Sequence, residues 1–148
     1  MNEMNKKLEA LLYKEDGLIT NLSNASALLK EYLDDINWVG FYLMRDGELR
    51  LGPFQGKTAC VRIKVGKGVC GTAVSENKTQ LVDDVHAFPG HIACDCASNS
   101  EIVVPIRVNN EIVGVLDIDS PIFSRFSEED RVNLEESVSI IEKIWSEF

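Results

Sequence analysis

No apolar run in the chain approaches the roughly 20 residues that cross a bilayer. The first residues, Met1-Asn2-Glu3-Met4-Asn5-Lys6-Lys7, contain no apolar segment of the kind that opens a secretory signal. Positive charge is also scarce: 15 bases stand against 24 acids, a net charge of -9. Nucleic acid and anionic membrane both need a cationic surface, so neither is an expected partner. There is no internal repeat, low-complexity tract or linker. Cysteines number four, and Cys60 and Cys70 have no near neighbour of the kind that paired zinc knuckles require. A metal set of the four cysteines with His86 and His91 is therefore disfavoured, and no metal or cofactor is expected. The expected location is cytoplasmic, where cysteines rest as thiols.

What is present fits one domain of 148 residues. Residues 3–14 read as a helix with Leu8, Leu11 and Leu12 on one face. A longer amphipathic helix follows Gly17, with Leu18, Leu22, Ala25, Leu29, Leu33 and Ile36 at a three-to-four spacing. The period then becomes two. Asn37 to Met44 is an aromatic-rich strand, Asp46-Gly47 signals a hairpin, and Glu48 to Leu51 is the partner. Residues 52–56 read as a loop, and 59–65 as a strand with one wet face. A Gly-rich turn then leads into a short helix ending near Asn77, and residues 80–82 form a brief strand. Two long apolar strands, 101–108 and 111–119, join at Asn109-Asn110, and Ser127 caps a final helix with Leu134, Val138, Ile141 and Trp145 as its apolar stripe. The chain divides into N-terminal helices (1–36), sheet and loops (37–120) and a C-terminal helix (127–147). The fold class is α+β: a central antiparallel sheet, terminal helices on one face and a pocket on the other.

Reactive groups concentrate in the loop from Gly90 to Glu101, which holds His91, Cys94, Asp95 and Cys96. Two cysteines flanking an aspartate in a polar loop point to thiol redox chemistry rather than to inert packing. Local electrostatics rank Cys70 as the most acidic thiol, because it sits near a helix start beside Lys67, whereas Cys94 adjoins Asp95. Gly66-Lys67-Gly68-Val69-Cys70-Gly71 matches the dinucleotide fingerprint by letter, but no βαβ unit surrounds it. It reads as a turn that lets a helix start approach something closely. Alternation puts Asp117 and Asp119 on one strand face, which is either an exposed edge or a pocket wall. Trp38 and Tyr42 share a face in the same way, with Gly40 between them, as core or as wall.

Taken together, Gly52-Pro-Phe-Gln-Gly-Lys, Cys60-Val-Arg-Ile, Gly66-Lys-Gly-Val-Cys-Gly-Thr-Ala, Asp84-Val-His, Gly90-His-Ile-Ala-Cys-Asp, Ser98-Asn-Ser-Glu-Ile-Val and Gly114-Val-Leu-Asp-Ile-Asp-Ser resemble the free methionine-(R)-sulfoxide reductases, single GAF domains. The resemblance implies reduction of free L-methionine (R)-S-oxide to methionine, with thioredoxin restoring the enzyme and a homodimer as the assembly. By position it implies Cys94 as nucleophile, Cys60 as resolving cysteine and Cys70 as an alternative or auxiliary thiol. It further implies Trp38 and Tyr42 as the wall for the substrate's methyl end, and Glu101, Asp117 and Asp119 as an acidic cluster. Carboxylates crowded together stay partly protonated, so one of them would protonate the sulfoxide oxygen while others pair with the ammonium. Backbone N–H groups of the cysteine loop, at Ile92 and Ala93, would meet the substrate carboxylate. Cys96 departs from the family pattern as an extra thiol and competitor. The alternative reading is a GAF small-molecule sensor without turnover, and a third is a zinc-stabilised interaction domain.

Overall fold

A computed structural model of the chain describes residues 1–91 and 97–147. Six strands form one antiparallel sheet in the order β3-β2-β1-β6-β5-β4. They are β1 (Trp38–Arg45), β2 (Glu48–Gln55), β3 (Arg62–Lys64), β4 (Gln80–Val82), β5 (Ser100–Val108) and β6 (Glu111–Ser120). The helices are α1 (Glu3–Leu11), α2 (Leu18–Tyr32), α3 (Gly68–Glu76) and α4 (Glu128–Lys143). Both long hairpins turn where the sequence implies, with positive φ at Asp46 and Gly47 and at Asn109 and Asn110. Ser127 caps α4 in a reciprocal box with Asp130.

The central strands are buried on both faces. One face packs Val39, Phe41 and Leu43 of β1 with Ile102, Val104 and Ile106 of β5 beneath α1, α2 and α4. The other packs Trp38, Tyr42, Val103 and Val115 against Val69, Cys70 and Ala73 of α3. The α+β architecture with terminal helices on one face is as expected. The pocket face is not bare, since α3 covers part of it.

Several boundaries differ from the sequence reading. α1 stops at Leu11, and its buried stripe is Met4, Leu8 and Leu12, a strict four-residue spacing that leaves Leu11 exposed. α2 stops at Tyr32 because Leu33 turns extended and Asp35 takes positive φ. Ile36 is buried all the same, below the incoming β1. Trp145 lies past the end of α4 yet packs against the core. β3 spans only three residues. β2 runs on through Gly52-Pro53 to Gln55, where a loop was expected. Leu51 pairs with Tyr42 and Phe54 with Gly40, so β2 holds one extra residue between these pairs. Such a bulge tolerates a proline that cannot donate to the ladder.

A candidate acidic and aromatic redox pocket

The pocket lies on the α3 face of the sheet and is built chiefly by cross-strand register. Trp38 of β1 pairs with Asp119 of β6, and Gly40 with Asp117. On the other flank of β6, Asp119 pairs with Glu101 of β5. Residues directly opposite in a ladder share a face, so the two aromatics and all three acids converge. The edge alternative for Asp117 and Asp119 is excluded because β6 lies between β1 and β5; Asp117 is 5% exposed and Asp119 half-buried.

The aromatic wall has a member that the sequence reading missed. Trp38 stacks on Tyr42 at 5.9 Å between centroids, and on Phe54 at 5.1 Å with an interplanar angle of 16°. Phe54 is out of phase with Leu49 and Leu51, and only the bulge in β2 returns it to the pocket face. Gly40 is required for this packing, because a Cβ there would sit 2.2 Å from Phe54 Cβ. The polar ends of the wall are tied down. Trp38 Nε1 donates to the Lys57 carbonyl at 3.1 Å, and the Tyr42 hydroxyl donates to the Cys60 carbonyl at 2.9 Å. Burial first, then Asp117 and its neighbours, pushes the Tyr42 hydroxyl far above its ordinary value.

Cys70 is carried into the pocket by α3. Its Sγ and the carboxylate oxygens of Glu101 and Asp117 all lie within 4.8 Å of one another. Burial, then the charges of Asp117, Glu101 and Asp119, pushes this thiol well above its ordinary value. That removes the ground on which the sequence placed Cys70 first: the helix start and Lys67 do lie beside it, but burial among acids outweighs them. Glu101 is likewise raised well above its ordinary value, by burial and then by Asp117 and Asp119. Asp117 is raised by burial and lowered by hydrogen bonds from Glu101 and Cys70. The consistent assignment has Glu101 and the Cys70 thiol protonated and donating to Asp117. Asp117 Oδ1 remains buried without a hydrogen-bond partner, an acceptor facing a cavity.

The Gly-rich turn is a close-packing device. The Gly66 N–H donates to the Gly71 carbonyl at 2.9 Å, and a Cβ on Gly71 would lie 2.4 Å from the Lys64 carbonyl oxygen. The turn folds the start of α3 onto the end of β3, so that Gly68, Val69 and Cys70 line the cavity. Thr58, Lys67, His91 and Ser98 also line it, and of these Thr58 lay outside the segments that the sequence singled out. Burial, then His86, pulls the His91 imidazole below its ordinary value. Cys60 is disulfide-bonded, and Cys70 is a free thiol. Cys94 and Cys96, with Ile92 and Ala93, lie outside the described residues. The chain on either side of them is anchored: Val85 N–H donates to the Asn99 carbonyl, and His86 Nε2 is 2.9 Å from Asn99 Oδ1.

Comparison with known proteins agrees with this architecture. A family model described as GAF domain matches residues 22–144. The chain is 58% identical over 142 residues to the free methionine-R-sulfoxide reductase of Escherichia coli, covering 96% of this chain and 86% of that one. It superposes on fRMsr of Staphylococcus aureus in its reduced form with a TM-score of 0.93 and 60% identity, covering 95% and 92% of the two chains. It also superposes on the free methionine-R-sulfoxide reductase of Neisseria meningitidis in complex with its substrate. There the TM-score is 0.92 and the identity 44%, over 96% and 86% of the chains.

Proposed function

Since the chain belongs to the GAF-domain free methionine-R-sulfoxide reductases, we propose that it reduces free L-methionine (R)-S-oxide to L-methionine through a thiol–disulfide cycle. The observation that carries the reading is the buried Glu101–Asp117 pair, with a protonated acid lining the same cavity as an aromatic wall. A sulfoxide oxygen needs a proton as it leaves, and an ordinary glutamate would have none to give near neutral pH.

In this reading the substrate's methyl end lies against Trp38 and Tyr42, with Phe54 stacked behind. Asp117 and Asp119 face the ammonium, and Asp117 Oδ1 is an acceptor in want of a donor. Backbone N–H groups at Ile92 and Ala93 take the carboxylate. The Cys94 thiolate attacks the sulfoxide sulfur while Glu101 protonates its oxygen. The hydroxyl passes to Cys94 as a sulfenic acid, and methionine leaves with two more electrons on sulfur. Cys60 then attacks Cys94, water departs, and a disulfide forms. That Cys60 is disulfide-bonded supports its place in the cycle. Thioredoxin supplies two electrons and two protons to reopen the bond. Cys70 serves as a hydrogen-bond donor that helps hold Asp117 charged, and Cys96 is a competing thiol. A homodimer, measurable by light scattering, completes the proposal on family grounds.

The test supplies the protein with separate R and S epimers of free methionine sulfoxide and dithiothreitol, and quantifies methionine. Methionine should form from the R epimer alone, and Cys94→Ser should abolish it. No product from the R epimer, or full turnover by Cys94→Ser, would sink the assignment.

A further inference from the structure

The cycle ends on a disulfide, so each turnover requires an external dithiol to reach one of its sulfurs. The charge distribution singles out the surface around Cys60 for that meeting. In a chain of net charge -9, no acid occurs between Glu48 and Glu76, whereas Arg50, Lys57, Arg62, Lys64 and Lys67 all do. Lys57, Arg62, Lys64 and Lys67 are exposed, and none of the three lysines is paired with an acid among the described residues. Edge strands carry lysines for another reason, to repel stray pairing partners. That accounts for Arg62 and Lys64 on the edge strand β3, but not for Lys57 and Lys67 outside it. Cys60 itself is half-buried, and next to it Val61 is 65% exposed, an apolar contact in a cationic rim. The carbonyl of Cys60 is held by the Tyr42 hydroxyl, which fixes the segment.

Resting on the reductase reading, we propose that this acid-free segment, residues 57–64, is the docking surface for a protein dithiol whose reactive cysteine is ringed by acidic groups, and that the sulfur attacked is Cys60. The reductant's thiolate bonds to Cys60 Sγ as the enzyme disulfide breaks, and the electron pair leaves on the other enzyme sulfur, which takes up a proton. The reductant's second thiol then displaces Cys60, giving oxidised reductant and a reduced enzyme. The nearby cations favour both the incoming and departing thiolates, and long-range attraction raises the encounter rate.

The experiment compares wild type with the double variant Lys57→Glu/Lys64→Glu, neither side chain lining the pocket. Turnover is driven either by purified thioredoxin with its NADPH-linked reductase or by dithiothreitol. For thioredoxin, kcat/KM should fall about tenfold or more and lose its dependence on salt, while dithiothreitol-driven rates stay equal. Thioredoxin lacking its second cysteine should be trapped on Cys60 by peptide mapping. Unchanged thioredoxin kinetics with normal dithiothreitol turnover, or trapping on another cysteine, overturns the docking proposal alone. Absence of methionine from wild type with dithiothreitol overturns the reductase reading and this proposal with it.

Discussion

Glu101 stands directly opposite Asp119 across the β5–β6 ladder, and this pairing, with Asp117 two residues away on the same face, places a cluster of acids inside the protein. Like charges opposed in a low-dielectric site resist joint ionisation, and burial adds to the cost. Glu101 keeps its proton as a consequence.

Glu101→Gln should lower the rate of methionine formation by about 10²–10⁴-fold, the range for loss of a general acid. It should also stabilise the fold by about 1 kcal/mol near neutral pH, as relief of a strained site often does. The sign follows from the raised pKa. Above the ordinary glutamate value of 4.5, the folded protein holds a proton that the unfolded chain releases, so stability falls as pH rises towards the folded value. Glutamine has no such proton to lose. The gain in Tm over wild type should shrink to nothing as pH is lowered below about 4.5, which a pH series of melts will measure.

Gly40→Ala should destabilise the protein by about 1–3 kcal/mol in urea titration. The added Cβ meets Phe54 Cβ at 2.2 Å and Phe54 Cα at 2.8 Å. Because the second contact is backbone, the strands must part rather than a side chain swing away. Near-UV circular dichroism should show the loss of Trp38 stacking at the same time.

Phe54→Ala removes the outer ring of the wall without touching a titrating group. Stacked aromatic pairs contribute roughly 0.5–1.5 kcal/mol beyond area burial, so KM should rise by up to about tenfold with kcat little changed. A fall in kcat at constant KM would place Phe54 nearer the reacting sulfur than its stacking on Trp38 implies.

Cys60→Ser should yield about one methionine per chain with thioredoxin and then stop, as measured by rapid-quench product counts. Cys70→Ser should keep cycling, because its thiol is buried, protonated and engaged with Asp117, a contact that serine can reproduce. Cys70→Val cannot donate, and its KM should rise.

The sequence alone determined the features that obey backbone sterics and short-range spacing. The turns at Asp46-Gly47 and Asn109-Asn110, the cap at Ser127, the shared face of Asp117 and Asp119, and the terminal helices were all legible because each depends on neighbours a few positions away. Resemblance to the family motifs, not local electrostatics, is the source of the roles proposed for Cys94 and Cys60. Only the tertiary structure decided the pKa of the Cys70 thiol, which a helix start would lower but which burial, and then Asp117 forty-seven positions on, push up. Only register placed Glu101 beside β6 and turned an edge or a pocket into a pocket. Phe54 was hidden for a related reason: one extra residue in β2 reverses which face every later side chain meets. Dielectric and charge at a site come from residues distant in the chain, so they are settled when the chain closes on itself and not before.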